Sequence, residues 1–98
     1  MALVRRQLPV DVPVSVTQGD PRRLKHFRTV DLVIKGTFTA TYQVQIEVAP
    51  GVWEDFGSPI TAAIAPLTLP DSAVRVRLDC TSFTASGASC YVAGPLDE

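Results

Sequence analysis

The stretch YQVQIEVAPGVWEDFG, residues 42–57, carries the clearest structural signal in the chain. In its first half apolar and polar residues alternate, which places one set of side chains on each face of a β-strand. Pro50 and Gly51 then predict a tight turn, because proline presets the second turn position and glycine accepts the positive φ of the third. The segment VWEDF continues as a short strand. The stretch therefore predicts a β-hairpin with one buried face.

The remaining strand signals are short and lack a helical period. These signals begin at Val30. Gly36 predicts a bulge or a bend in the chain, and a further short strand is expected near residues 67–69. In AVRVRLDCT the inner residues are Val74, Val76, Leu78 and Cys80, and in CYVAG they are Cys90 and Val92. These last two strands are expected to pair as a hairpin, with Cys80 opposite Cys90. Six to eight such strands predict an all-β domain, a small antiparallel β-sandwich of the jelly-roll or immunoglobulin-like type.

The predicted β-sandwich domain covers residues 30–98, and its core residues follow from the alternation. Trp53 is expected to cap that core, because a tryptophan after a tight turn more often packs than binds. The predicted core consists of Tyr42, Val44, Ile46, Val48, Trp53, Val76, Leu78, Cys80, Cys90 and Val92.

Residues 1–29 are predicted to form an extended N-terminal arm and a basic loop. Pro9 and Pro13 remove backbone donors, which favours an extended arm or an edge strand for residues 8–16. Residues 1–36 contain seven basic and three acidic side chains, whereas the remainder contains two basic and seven acidic ones. This asymmetry favours contact with an acidic partner or with the acidic end of a second copy. The candidate partner-binding residues are Leu3, Val4, Arg5, Arg6, Leu8, Val10, Arg22, Arg23, Lys25 and Arg28.

Catalytic and metal-binding patterns are lacking in the sequence. His26 is the only histidine, and with Cys80 and Cys90 it does not complete a four-ligand zinc site, so we expect no metal or cofactor. The two cysteines are expected to be buried free thiols. Glu54 and Asp55 are adjacent on a strand and point to opposite faces, so they cannot act as a carboxylate pair. We therefore predict a non-enzyme.

The overall charge and hydropathy narrow the possible partners. A formal net charge of −1 argues against direct nucleic-acid binding. No apolar run reaches the roughly 20 residues that a membrane-spanning helix requires. We expect a soluble protein that is made in the cytoplasm and does not bind a membrane.

The segment from Gly36 to Gly94 resembles small β-sandwich virion proteins of tailed bacteriophages. The similar features are a strand of the type VQIEV, a turn followed by tryptophan, a short strand with an "IT" segment, a VRVRL strand and a final hairpin with a glycine. The resemblance implies a structural virion protein without catalytic residues. Its implied role is that of a capsid decoration or cement protein, a homo-oligomer with a trimer favoured, which binds the major capsid protein.

Two alternatives remain open at this point. The first is a head-tail or tail accessory protein of the same kind of virion. The second is a carbohydrate-binding β-sandwich module, in which Trp53 would stack on a sugar ring. Discoidin-like modules share the strand, turn and tryptophan pattern, but their turn is typically Asp-Gly, whereas this chain has Pro50 and Gly51.

Overall fold

The structure is a computed structural model that describes residues 5–24, 30–70 and 73–95. Within these ranges the chain forms eight β-strands and no helix, so no described helix could cross a membrane. The strands are β1 (Arg5–Val10), β2 (Arg22–Arg23), β3 (Val30–Lys35), β4 (Phe38–Ala49), β5 (Val52–Ile60), β6 (Ile64–Leu69), β7 (Arg75–Ser86) and β8 (Ser89–Pro95). The predicted all-β class is confirmed.

The strands form two antiparallel sheets that face each other across one core. Sheet I has the strand order β1-β8-β3-β6, and sheet II has the order β2-β7-β4-β5. The first strand pairs with the last, the second with the seventh, the third with the sixth and the fourth with the fifth. A long hairpin rolled up in this way is a jelly roll. The predicted β-sandwich is confirmed, and the strand order identifies the jelly-roll alternative.

One continuous two-stranded ribbon forms the centre of both sheets. In sheet I, Lys35 pairs with Ser89, and in sheet II, Phe38 pairs with Ser86. The register is the same on both sides of the corner, so β3 runs into β4 and β8 runs into β7 without a slip. The ribbon bends at Gly36, whose φ is 101°. The bend that the sequence predicts at this glycine is confirmed.

The corner of the ribbon explains why the predicted final hairpin is wrong. The Gly87 amide donates a hydrogen bond of 2.9 Å to the Thr37 carbonyl, which continues the ladder through the bend. The strands β7 and β8 therefore lie in different sheets, although only two residues separate them. Cys80 pairs with Tyr42 in sheet II and Cys90 pairs with Ile34 in sheet I, so the two cysteines are not cross-strand neighbours.

The inner faces of the two sheets supply the core. Val48 is half-buried against this core, whereas Trp53 and Val74 do not belong to it, and Val74 is 47% exposed. The Tyr42 hydroxyl donates to the Pro13 carbonyl at 3.1 Å, which satisfies the polar end of a fully buried ring. Eight of the ten predicted core residues are buried: Tyr42, Val44, Ile46, Val76, Leu78, Cys80, Cys90 and Val92.

Both cysteines are free thiols inside the core, as the sequence predicts. Burial raises the pKa of the Cys90 thiol to about 12, and burial also raises the pKa of the Cys80 thiol. A thiol that stays protonated is neither a nucleophile nor a metal ligand. The cysteines therefore act as small apolar side chains.

The described part of residues 1–29 belongs to the sandwich. All six residues of β1 pair with β8, and β2 pairs with β7. The predicted boundary at residue 30 therefore does not separate an arm from the sheets, and the edge-strand alternative is confirmed for residues 8–10. Pro9, Pro59 and Pro66 each lie in an edge strand, where a missing donor costs the ladder nothing and discourages pairing with another sheet.

Candidate partner-binding surface

Two of the predicted partner-binding residues are core residues instead. Because β1 pairs with β8, strand alternation turns Leu8 and Val10 toward the inside of the sandwich. Val10 is 4% exposed, and Leu8 packs against the buried cluster. The prediction that Leu8 and Val10 contact a partner is therefore wrong.

The basic residues have different environments. The Arg22 Nε atom donates to the Pro9 carbonyl at 2.8 Å, so this guanidinium ties β2 to β1 across the side of the sandwich. Arg23 is exposed. Arg5 and Arg6 begin β1. Leu3, Val4, Lys25 and Arg28 lie outside the described residues, as does His26, and their predicted roles stay predictions.

The outer face of sheet II carries an ordered polar network that the sequence did not predict. Strand pairing aligns the side chains of β7, β4 and β5 in two neighbouring rows. The Arg77 guanidinium carbon lies 4.0 Å from the centroid of the Trp53 ring, and that of Arg75 lies 5.4 Å from it. We call this surface the Trp–Arg face, and its residues are Arg75, Glu47 and Trp53 in one row and Arg77, Gln45 and Asp55 in the next.

A one-residue shift in strand register places Trp53 on this face. Ala49 pairs with Val52 beside the turn, but Glu47 pairs with Trp53, so β4 contains one extra residue at Val48. Without the shift, Trp53 would lie opposite Val48 and point into the core. Because a slip of one residue exchanges the two faces of a strand, Trp53 lies outside and is half-buried. The prediction that Trp53 caps the core is wrong.

Glu47 holds the centre of the Trp–Arg face. Its carboxylate accepts hydrogen bonds from Arg75 Nε at 2.6 Å and from Arg75 Nη2 at 2.5 Å. The Gly51 amide adds a third bond at 3.1 Å. The Arg75 guanidinium holds the pKa of Glu47 at about 2, well below its ordinary value of 4.5. The bidentate pair fixes the plane of Arg75 beside Trp53.

Glu47→Gln is expected to remove a pH-dependent part of the stability. Since the pKa of Glu47 is lower in the folded chain, its contribution is fully present above pH 4.5 and is lost as the pH falls toward 2. The difference in free energy of unfolding between wild type and variant, measured by denaturant titration, should therefore shrink over this range. Glu54→Gln makes the same change at an exposed position and is the control, with all chains measured at a protein concentration at which they are monomeric. A difference that stays constant with pH would contradict this assignment.

A second chain of hydrogen bonds orders the other row. The Arg77 Nε atom donates to Gln45 Oε1 at 2.8 Å, and Gln45 Nε2 donates to Asp55 Oδ1 at 3.0 Å. Arg77 is thereby held over the Trp53 ring at 4.0 Å. The face presents an indole and two guanidiniums in fixed positions. No cluster of three or more potential metal ligands occurs among the described residues.

Comparison with known proteins identifies no relative from which a function could be inferred. No protein-family model, no curated protein and no solved structure matches the chain.

Proposed function

We propose that this chain is a structural virion protein of a tailed bacteriophage, a capsid decoration or cement protein that binds the major capsid protein and stabilises the head shell. The observation that carries the proposal is the Trp–Arg face, an ordered protein-binding type of surface on a small sandwich. The resemblance of residues 36–94 to virion β-sandwich proteins supports the choice of partner. The protein would act in the virion and would require no cofactor.

The composition of the Trp–Arg face is the one that protein interfaces favour. Tryptophan and arginine are enriched among the residues that contribute most of the binding energy. Immobilising a long side chain on binding costs about 0.5–1.5 kcal/mol. Here Glu47 already holds Arg75, and Gln45 already holds Arg77, before any partner arrives. A preordered surface of this kind binds with a smaller entropic cost.

On a shell of repeated subunits, each single contact can have a modest affinity. An oligomer that reaches several capsid subunits at once binds with an avidity far above the affinity of a single site. A homo-oligomer, with a trimer favoured, therefore suits the proposed role. One Trp–Arg face per chain supplies the repeated contact.

Trp53→Ala is expected to weaken binding to heads that lack the chain by about tenfold or more, since truncation of a central aromatic contact residue commonly costs over 1 kcal/mol. Its effect on folding should be small, because the ring lies on the outer face. Co-sedimentation with purified heads measures the binding. The control is Val52→Ala in the same strand, at a residue that is 49% exposed and has no place in the network. Equal binding by both variants would count against the Trp–Arg face as the capsid contact.

Glycan binding is the second candidate, because jelly rolls also carry lectin domains. Against it, the Arg77 guanidinium already lies 4.0 Å over the Trp53 ring, where a sugar would have to stack. Binding of the wild-type chain to a glycan array, lost in Trp53→Ala, would favour this candidate over the capsid. A head-tail or tail accessory role would instead be recognised from a low copy number in the particle.

A further inference from the structure

The sandwich has two open sides that differ in charge. The first, here called the basic side, consists of β1, β2 and their connection, residues 11–21. The Arg22 Nε bond to the Pro9 carbonyl brings its two strands together. The second, here called the acidic side, consists of β5, β6 and the three residues that join them. These strands form the outer edges of the two sheets, so the two sides lie at opposite ends of the strand order.

Each side has a uniform charge in its strands. The strands of the basic side contain four arginines and no acidic residue, and its connection contains Asp11 and Asp20, which leaves a net charge of +2. The acidic side contains Glu54 and Asp55 and neither lysine nor arginine, which gives −2. Glu54, Asp55 and Arg23 are exposed. Opposite charges on opposite sides favour contact between two copies.

The two sides also match in their apolar features. On the basic side, Val14 and Val16 are 70% and 67% exposed, although valine is seldom left in water to this extent. On the acidic side, an open groove of about 490 Å³ runs between β5 and β6. Its apolar lining includes Pro59, Ile60, Ala62, Ile64, Pro66 and Leu67.

The matching features lie at the same heights along the strands. The charged groups lie within one residue of the same height across sheet II. One row reads Arg22, Val76, Ile46 and Glu54, and Arg23 begins the neighbouring row. The apolar groups share another row. It begins at Thr17, the residue after Val16. The Thr17 carbonyl accepts a hydrogen bond from the Cys80 amide, and the row continues from Cys80 through Tyr42 to Ile60 in the groove. Two copies set side by side, with their strands aligned, bring both pairs of features together.

We propose that the basic side of one copy packs against the acidic side of a second copy. Val14 and Val16 enter the groove, and Arg23 faces Glu54 and Asp55. The edge prolines disfavour a continuous intermolecular sheet, so the contact is made by side chains. Because each copy keeps one free side of each kind, the contact is head-to-tail, and its repetition gives a ring such as a trimer where the rotation between copies closes. The inference rests on the oligomer of the proposed function but requires no capsid.

Sedimentation equilibrium of the purified full chain tests this contact without any shell present. Wild type should associate, and Glu54→Arg and Arg23→Glu should each lower the association constant by at least about tenfold, since like charges then face each other. The double variant restores opposite charges at every contact and should recover association. Lys35→Glu, which makes the same charge change as Arg23→Glu on the central strand β3, should associate like wild type.

Val16→Asp provides an independent test, since it alters an exposed residue outside the strands and should weaken association to a similar degree. A wild-type chain that remains monomeric, or single variants that associate as wild type does, would overturn the proposal. A double variant that associates more weakly than either single variant would also overturn it. Association that follows the predicted pattern in a chain that fails to bind heads would support this contact and refute only the capsid role.

Discussion

Gly36→Ala is expected to lower the free energy of unfolding by about 3 kcal/mol or more, because two penalties coincide at the corner of the ribbon. The φ of Gly36 is +101°, where an L side chain is strained. A Cβ atom added there would also lie 2.5 Å from the Gly87 carbonyl oxygen, and a backbone atom at that point cannot move aside cheaply. Urea denaturation of the variant and of wild type measures the loss.

Gly51→Ala separates the two penalties. Gly51 also has a positive φ, +74°, but an added Cβ atom would meet no described atom within 4 Å. The substitution should therefore cost about 1–2 kcal/mol, the conformational penalty alone. If Gly36→Ala were no more destabilising than Gly51→Ala, the close approach of the two ribbon strands at Gly36 and Gly87 would be contradicted.

Val10→Asp should destabilise the chain by about 4 kcal/mol or more, because it removes apolar burial and places a carboxylate in the core. Val10 is 4% exposed and pairs with Cys90. A loss of this size approaches the lower end of the stability of folded domains, which is about 5–15 kcal/mol. Much of the variant is therefore expected to be unfolded, which near-ultraviolet circular dichroism and denaturant titration would detect.

Val14→Asp is the matched control for this prediction. It makes the same chemical change four residues further along, at a side chain that is 70% exposed. Measured at a protein concentration at which the chain is monomeric, its stability should stay within about 0.5 kcal/mol of wild type. Equal stability of the Val10→Asp and Val14→Asp variants would contradict the place of β1 in the core and would favour a free arm.

Strict alternation made much of the core predictable. In β4, and in β7 as far as Cys80, every second residue is apolar, and a strand with one buried face places those residues inside whichever strands it pairs with. Tyr42, Val76 and Leu78 are buried for this reason. The turn at Pro50 and Gly51 was equally clear, because its chemistry is local.

The order of the strands was harder to predict from the sequence, because it depends on contacts between residues that are far apart in the chain. The stretch SFTASGAS, residues 82–89, was interpreted as a hairpin loop, but only residues 87 and 88 separate β7 from β8. Gly36 lies opposite this short link and lets both strands of the ribbon bend into the other sheet. Likewise, a run such as Leu8 to Val16, broken by prolines, fits a free arm as well as an edge strand. Only the pairing of β1 with β8 decides between them.

The Trp–Arg face was hidden for a related reason. Its existence depends on the register shift at Val48, which moves Trp53 from the inner to the outer face. Nothing in the composition around Val48 marks this shift. The charge asymmetry between the two parts of the chain can be read from the sequence, and part of it, four basic and two acidic residues, lies in the strands of the basic side and of the acidic side.

The proposed role in the shell is tested most directly by the number of copies of the chain in purified phage particles. Quantitative mass spectrometry with the major capsid protein as internal reference measures that number. A decoration protein should be present in a fixed proportion to the major capsid protein, and it should be depleted from particles assembled with the Trp53→Ala variant. Absence from the particle, or a copy number limited to a single vertex or the tail, would contradict the proposed function.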